Sequence, residues 1–255
     1  MKLFKLLFIT TLPLLFSCQS NSVDDSEWFT YETIQLEEKN CEIEPCLVVD
    51  LKYPIIKEQI TNSKSLNEEL QRMLGQYLIL DGKTVPKDIN KSVTEFQKQF
   101  EERFHDNYIG ASGGLTAHGE AIVMNNPTKI KSILVYMDTY TGGANGMNYY
   151  NALNFDSETG SILHFTDIID NYDAFQLIAE KQFRKQFEIE DDKSFSDAGF
   201  FIDGTLTLSE KLSIDDSYVY ILYEKYEIAP GAMGPIKLSI PLEDVIKHIN
   251  VKYRK

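Results

Sequence analysis

Residues 115–140 read LTAHGEAIVMNNPTKIKSILVYMDTY, and the period of this stretch decides the fold. Leu115, Ala117, Gly119, Ala121 and Val123 occupy alternate positions, so they share one face of an extended chain. Asn125-Asn126-Pro127 turns the chain, and residues 130–140 continue as a second long strand rich in β-branched and aromatic side chains. Residues 149–155 give a third strand, closed by Asp156-Ser157-Glu158-Thr159-Gly160. Strands also follow at 217–223 and 236–240. Between them Phe200-Phe201-Ile202, Asp203-Gly204 and residues 205–208 carry a hairpin signal.

Upstream the period is that of a helix. Leu66, Leu70, Met73, Leu74, Tyr77 and Leu78 line one stripe from about residue 65, with Asn62 or Ser63 as cap. Ile89, Val93, Phe96, Phe100 and Phe104 line a second. Residues 28–37 alternate weakly, and LVVDLKY at 47–53 is a strand stopped by Pro54. A third helix spans 172–187, with Asp170 or Asn171 as cap, and Pro241 opens a last short one. Two early helices followed by hairpin-linked strands predict an α+β fold: antiparallel sheet with packed helices rather than alternating βαβ units. The Gly-rich stretch at 109–115 divides a small N-terminal α/β module (28–112) from a larger C-terminal α+β domain (113–255).

The N-terminus carries an address. Lys2 and Lys5 precede the apolar run LLFITTLPLLF at 6–16, too short to span a bilayer, which needs about 20 apolar residues. Ser17-Cys18 then gives the small-residue-plus-cysteine pattern of a bacterial lipoprotein signal. The expectation is a signal peptide at 1–17, lipidation of Cys18, and a polar tether over 18–27. The protein would then sit in the cell envelope, outside the cytoplasm, touching a membrane only through its lipid. Cys41 and Cys46 remain, and an exported compartment favours a disulfide between them over a two-thiol metal site.

Charge narrows the partners. The 255 residues hold 25 Lys+Arg against 39 Asp+Glu, a net charge of −14, and removal of Lys2 and Lys5 with the signal makes it −16. Such a surface repels nucleic-acid phosphates and attracts cationic partners over long range. No motif for a metal, nucleotide or other cofactor stands out around His105, His118, His164 or His248. Gly110-Ala111-Ser112-Gly113-Gly114 matches G-x-S-x-G, but a helix precedes it and a strand follows, the reverse of a nucleophile elbow. The paired acids Asp24-Asp25, Asp191-Asp192 and Asp215-Asp216 read as solvated loops. No convincing catalytic constellation emerges, and an envelope hydrolase using Ser112 or a carboxylate pair is the rival reading. A structural or assembly lipoprotein, marked by a large exposed apolar patch, is another.

Two segments stand apart from generic core. YTGGANG at 140–146 places three glycines beside Tyr140, Tyr149 and Tyr150. YEKYEIAPGAMGP at 223–235 is stiffened by two prolines and relieved by two glycines. Tyrosine faces in such loops suit sugar rings or an exposed peptide. The candidate ligand-binding residues are Tyr140, Gly142, Gly143, Asn145, Tyr226, Glu227, Pro230 and Gly234.

These segments, with NFDSETGSILHFTDII at 154–169 between them, resemble a domain of unknown function over residues 136–249. That domain forms the extracytoplasmic part of RsiV-type anti-sigma factors, which bind lysozyme, and it accompanies some peptidoglycan deacetylases. Residues 47–104 look like the smaller module that usually precedes it. The resemblance implies an α+β fold and a non-catalytic envelope role, binding a cationic muramidase such as lysozyme or a peptidoglycan glycan. Where the family loop reads GGAHG, this chain has Asn145 in place of the histidine.

Overall fold

A computed structural model describes residues 30–42, 46–57, 60–105 and 114–254. Cys18, the expected signal and tether, and the Ser112 motif lie outside the described residues. The chain runs β1 (Tyr31–Asn40), β2 (Leu47–Ile56), α1 (Ser63–Gly75), α2 (Ile89–His105), β3 (Leu115–Met124), β4 (Ile130–Tyr140), β5 (Met147–Asp156), β6 (Ile162–Leu163), α3 (Phe165–Ile168) and α4 (Tyr172–Gln186). It ends with β7 (Leu212–Ile214), β8 (Tyr218–Tyr223), β9 (Ile236–Pro241) and α5 (Leu242–Val245). The α+β class expected from the sequence is the fold observed. Cys41 and Cys46 form a disulfide at the β1–β2 turn.

Six strands form one sheet in chain order, β1 to β6, and β7–β8–β9 form a second. The large sheet is not wholly antiparallel as the sequence reading had it. β2 and β3 pair in parallel, Leu47 beside Leu115 and Leu51 beside Gly119. A parallel neighbour needs a crossover, and α1 with α2 is that crossover. The crossover explains why both helices cover one face of the sheet: Val49, Leu51, Ala117, Ile133, Val135 and Met137 pack there with Leu66, Leu70, Leu74, Phe96 and Phe100. Each such Val, Leu, Ile, Met or Phe side chain, fully buried, contributes about 1.5–3 kcal/mol. Gly119 lies under this contact, since a Cβ there would stand 2.3 Å from Met137 Sδ.

The sheet crosses residue 112, so β1 and β2 are bonded into one body with β3–β6. The chain changes core further on, near 156–163. The second core gathers α4, the small sheet and the stretch between them around Phe175, Phe183, Phe195, Phe200, Phe201, Ile221 and Leu238. A buried polar seam joins the two parts. Ser132 Oγ donates to Asn154 Oδ1 (2.5 Å) and accepts from Ile214 N (3.0 Å), while Asn154 Nδ2 donates to the Leu212 carbonyl (2.8 Å). Asn126 adds Nδ2 bonds to the carbonyls of Ile130 and Ile214.

The caps differ in use. Asn171 caps α4, accepting from Ala174 N at 3.1 Å. Asn62 precedes α1 but donates instead to the Thr159 carbonyl (2.9 Å), tying that helix to the 156–160 turn. The expected hairpin at 200–208 is absent: 187–211 contains neither helix nor strand, and short β7 at 212–214 pairs with β8 instead.

Candidate binding site

The 223–235 segment leaves β8 and returns as β9 around a rigid turn. Glu227 Oε2 accepts from Glu224 N (2.7 Å) and Glu227 N donates back to the Glu224 carbonyl (3.1 Å), so this carboxylate closes its own turn. Pro230 opens a short 3₁₀ turn, and Gly234 ends it at φ +70°, a conformation open to glycine at little cost. Gly231 lies beneath the Tyr226 ring; a Cβ there would come within 1.9 Å of Cε1.

Tyr226, Glu227 and Pro230 form one wall of a concavity of about 390 Å³. A second wall is Ser196, Gly199, Phe200 and Ile202. Phe201 N donates to the Ile228 carbonyl at 2.7 Å and pins the walls together. Three non-glycine residues among those described have positive φ, and two of them stand here: Phe201 at +44° and Tyr226 at +72°. Each such residue costs about 1–3 kcal/mol and persists only where its surroundings hold it. The backbone so held leaves Ile202 fully exposed and Tyr226 59% exposed. Sequence reasoning missed Phe200, Ile202 and Ser196 as wall residues. The Phe-Phe-Ile run was the available signal, read there as a strand.

The 140–146 loop joins β4 to β5 and meets the 223–235 segment through Lys225. Lys225 Nζ donates to the Gly146 carbonyl at 3.0 Å. Gly142 takes φ +86°, and Gly143 and Asn145 are exposed at the tip. Neither they nor Tyr140 line the concavity. Tyr140 instead pairs with Thr116 on the face of the large sheet opposite the helices. The eight residues therefore divide: Tyr226, Glu227 and Pro230 on a cavity wall, Gly234 at the end of their loop, Gly142, Gly143 and Asn145 on an adjoining turn, and Tyr140 on the sheet.

Tyr77 stacks on Tyr149 behind the junction, ring centroids 4.5 Å apart. Burial pushes the Tyr77 phenol up to about 12 and also raises Tyr149, with the Glu224 carboxylate adding to both. Lys211 pairs with Glu224 on the same side. The acid pair Asp215-Asp216 is structural: Asp215 accepts from Ser217 N, Tyr218 N and Tyr220 Oη. Among the described residues no group of three or more His, Cys, Asp or Glu is placed to hold a metal ion.

With the geometry in place, comparison with known proteins follows the same division. Residues 165–243 match the family model of a protein of unknown function, DUF3298. The DUF3298 segment holds α3, α4, the small sheet and the whole concavity. Residues 40–148 match the model named Deacetylase PdaC, which takes in the 47–104 module and the strands through β4. The gap between the two matches falls where the chain changes core. A crystal structure of a DUF3298 family member from Bacteroides fragilis superposes with a TM-score of 0.64 at 20% identity, over 87% of this chain and 94% of that one. A DUF3298 family protein from Pseudomonas aeruginosa gives 0.62 at 18%, over 87% and 95%. These two likenesses concern the fold. No curated protein matches the chain. The two family matches bear out the resemblance to a domain of unknown function and fit a cell-envelope-associated protein.

Proposed function

We propose that this protein is a lipid-anchored binding protein of the bacterial envelope, without catalytic activity, whose 196–202 and 226–230 walls capture a cationic protein of the muramidase type. The observation that carries the reading is one concavity lined by left-handed Tyr226 and by Phe200 and Ile202, the two neighbours of left-handed Phe201. A fold that holds strained backbone at Tyr226 and beside Ile202, and presents both side chains to solvent, has a use for them. An exposed isoleucine and tyrosine are anchors for an apolar side chain of a partner, since aromatic and aliphatic residues desolvated at an interface centre supply most binding energy. The net charge of −14 favours a basic partner and speeds its encounter. In this reading Cys18 carries the lipid and residues 18–27 hold the binding body off the membrane.

The test is retention of hen lysozyme on the immobilised mature chain at low and moderate salt. Retention that weakens with salt and falls about tenfold or more in Ile202→Ser and Tyr226→Ala is the expected result. Absence of retention at low salt, or retention indifferent to both substitutions, removes the reading. Labelled fatty acid entering the wild-type chain but not Cys18→Ser checks the anchor separately.

A further inference from the structure

The six-stranded sheet has a second face, which the helices α1 and α2 leave open among the described residues. Register places Glu37, Asp50, His118, Asp138 and Asn148 in one row across β1 to β5. The next row is Gln35, Lys52, Glu120, Tyr136 and Tyr150. Five strands at about 4.8 Å spacing make each row roughly 19 Å wide. The small sheet meets this face at the Ser132–Asn154 end. Beyond it the side chains of His118 and Asp50 are 50% and 46% exposed, and Tyr136 is exposed.

We infer that this open face is a binding platform for a neutral, extended oligosaccharide. Three properties of the surface lead there. Tyr136 and Tyr150 form a shallow aromatic corner, centroids 5.3 Å apart and planes at 53°, on which the C–H face of a pyranose ring can rest. The corner is held in place: Asn148 Nδ2 donates to Tyr136 Oη at 2.9 Å and also to Asp138. The polar groups are partly engaged with one another, with Lys52 bonded to Glu120 at 2.8 Å, Gln35 donating to Asp50, and His118 Nδ1 4.0 Å from the other Asp50 oxygen. A phosphate polymer would meet four carboxylates in these two rows. Sugar hydroxyls, which donate and accept, can join such a network without displacing a charge. Tyr140 extends the same face by one more ring. The platform is separate from the concavity and does not rest on the protein-capture reading.

The test titrates chitohexaose and cellohexaose into the mature chain by calorimetry, at two salt concentrations. The expected result is saturable binding of at least one of them, little changed by salt. It weakens about tenfold in Tyr136→Ala, by a smaller factor in Asn148→Ala, and not at all in Tyr226→Ala. Asn148→Ala keeps both rings while freeing them, so it tests the platform even if Tyr136→Ala alters the sheet. No binding of either sugar up to about 5 mM overturns the inference, because a site weaker than that exceeds the affinity scale of any useful capture. Binding that survives Tyr136→Ala and Asn148→Ala, or that disappears in Tyr226→Ala, overturns it as well. Lysozyme retention lost in Tyr226→Ala but kept in Tyr136→Ala separates failure of one surface from failure of the other.

Discussion

The two cores are built from different material. Beneath α1 and α2 the core is a strand-and-helix lattice, largely Leu, Val and Ile around Phe96 and Phe100. In the DUF3298 segment the irregular stretch 187–211 has no ladder to hold it, yet Ile189, Phe195, Phe200, Phe201, Leu206 and Leu208 are buried there. Rings replace the ladder. Phe183 of α4 meets Phe187 at 4.5 Å, Phe200 at 5.1 Å, Phe201 at 5.2 Å and Phe195 at 5.5 Å, partly edge-to-face. Arg184 adds its guanidinium over Phe195, 4.3 Å from the centroid, and ties down the carbonyls of Glu190 and Lys193. Regular elements define their own geometry, whereas a long irregular stretch in a compact body needs an aromatic knot and usually has a function. Here it supplies one wall of the concavity.

The largest effect therefore falls on the knot. Phe183→Ala removes the ring on which four others converge and costs about 3–5 kcal/mol. Thermal melting should show the loss, and amide exchange should speed up across 187–211 far more than in β2–β4. Leu70→Ala in the first core costs a similar or smaller amount, about 2–5 kcal/mol, and should leave 187–211 protected relative to the rest. Equal exchange profiles for the two variants would break the contrast between the cores.

The seam comes next. Asn154→Ala leaves the Leu212 carbonyl and Ser132 without their partner in a buried interface, about 1–3 kcal/mol for each group left unpaired. If the seam couples the two cores, the wild type melts in one transition and the variant in two, with the DUF3298 segment first. A single transition in both, at the same midpoint, would show that the apolar contacts couple the halves unaided.

Much of this was legible in the sequence, and the rest was hidden for physical reasons. Alternation gave β4 and placed β3, and the 3.6 period gave α2 and α4, because one-sided burial writes itself into residue order. The parallel pairing of β2 with β3 was not legible, since a strand reads the same whichever way its neighbour runs. The 200–208 stretch was misread because Phe200 and Phe201 face a knot of rings rather than a ladder, and Asp203-Gly204 forms a turn without strands to join. Tyr226, Glu227 and Pro230 were found because Pro and Gly advertise a shaped loop. The second wall, on the misread stretch, was not. Tyr136 and Tyr150 passed as strand residues, since membership of an open face depends on what does not cover it.

Smaller effects sharpen the contrast between stability and binding. Gly231→Ala puts a methyl where the Tyr226 ring now rests, but that ring is mostly exposed and can swing aside. The cost to stability is expected to stay under about 1 kcal/mol, while lysozyme retention falls about tenfold. A variant that keeps full retention would show that the orientation of Tyr226 is immaterial to capture.

The smallest effect concerns His248, at the end of the second core just after α5. Partial desolvation, then Lys247 and Arg254, hold its imidazole below the ordinary 6.5. Between that lowered midpoint and 6.5 the unfolded chain binds a proton that the folded one does not, so stability rises with pH in this window and is lost on acidification. His248 is one of many groups that gain a proton as the pH falls, so its share of the total is small. The difference between proteins isolates it. Urea midpoints at pH 7.5 and pH 5.5 should fall slightly less in His248→Gln than in wild type. An identical fall in both would mean that Lys247 and Arg254 are screened by water before they reach the ring, placing this end of the second core outside the electrostatics of the fold.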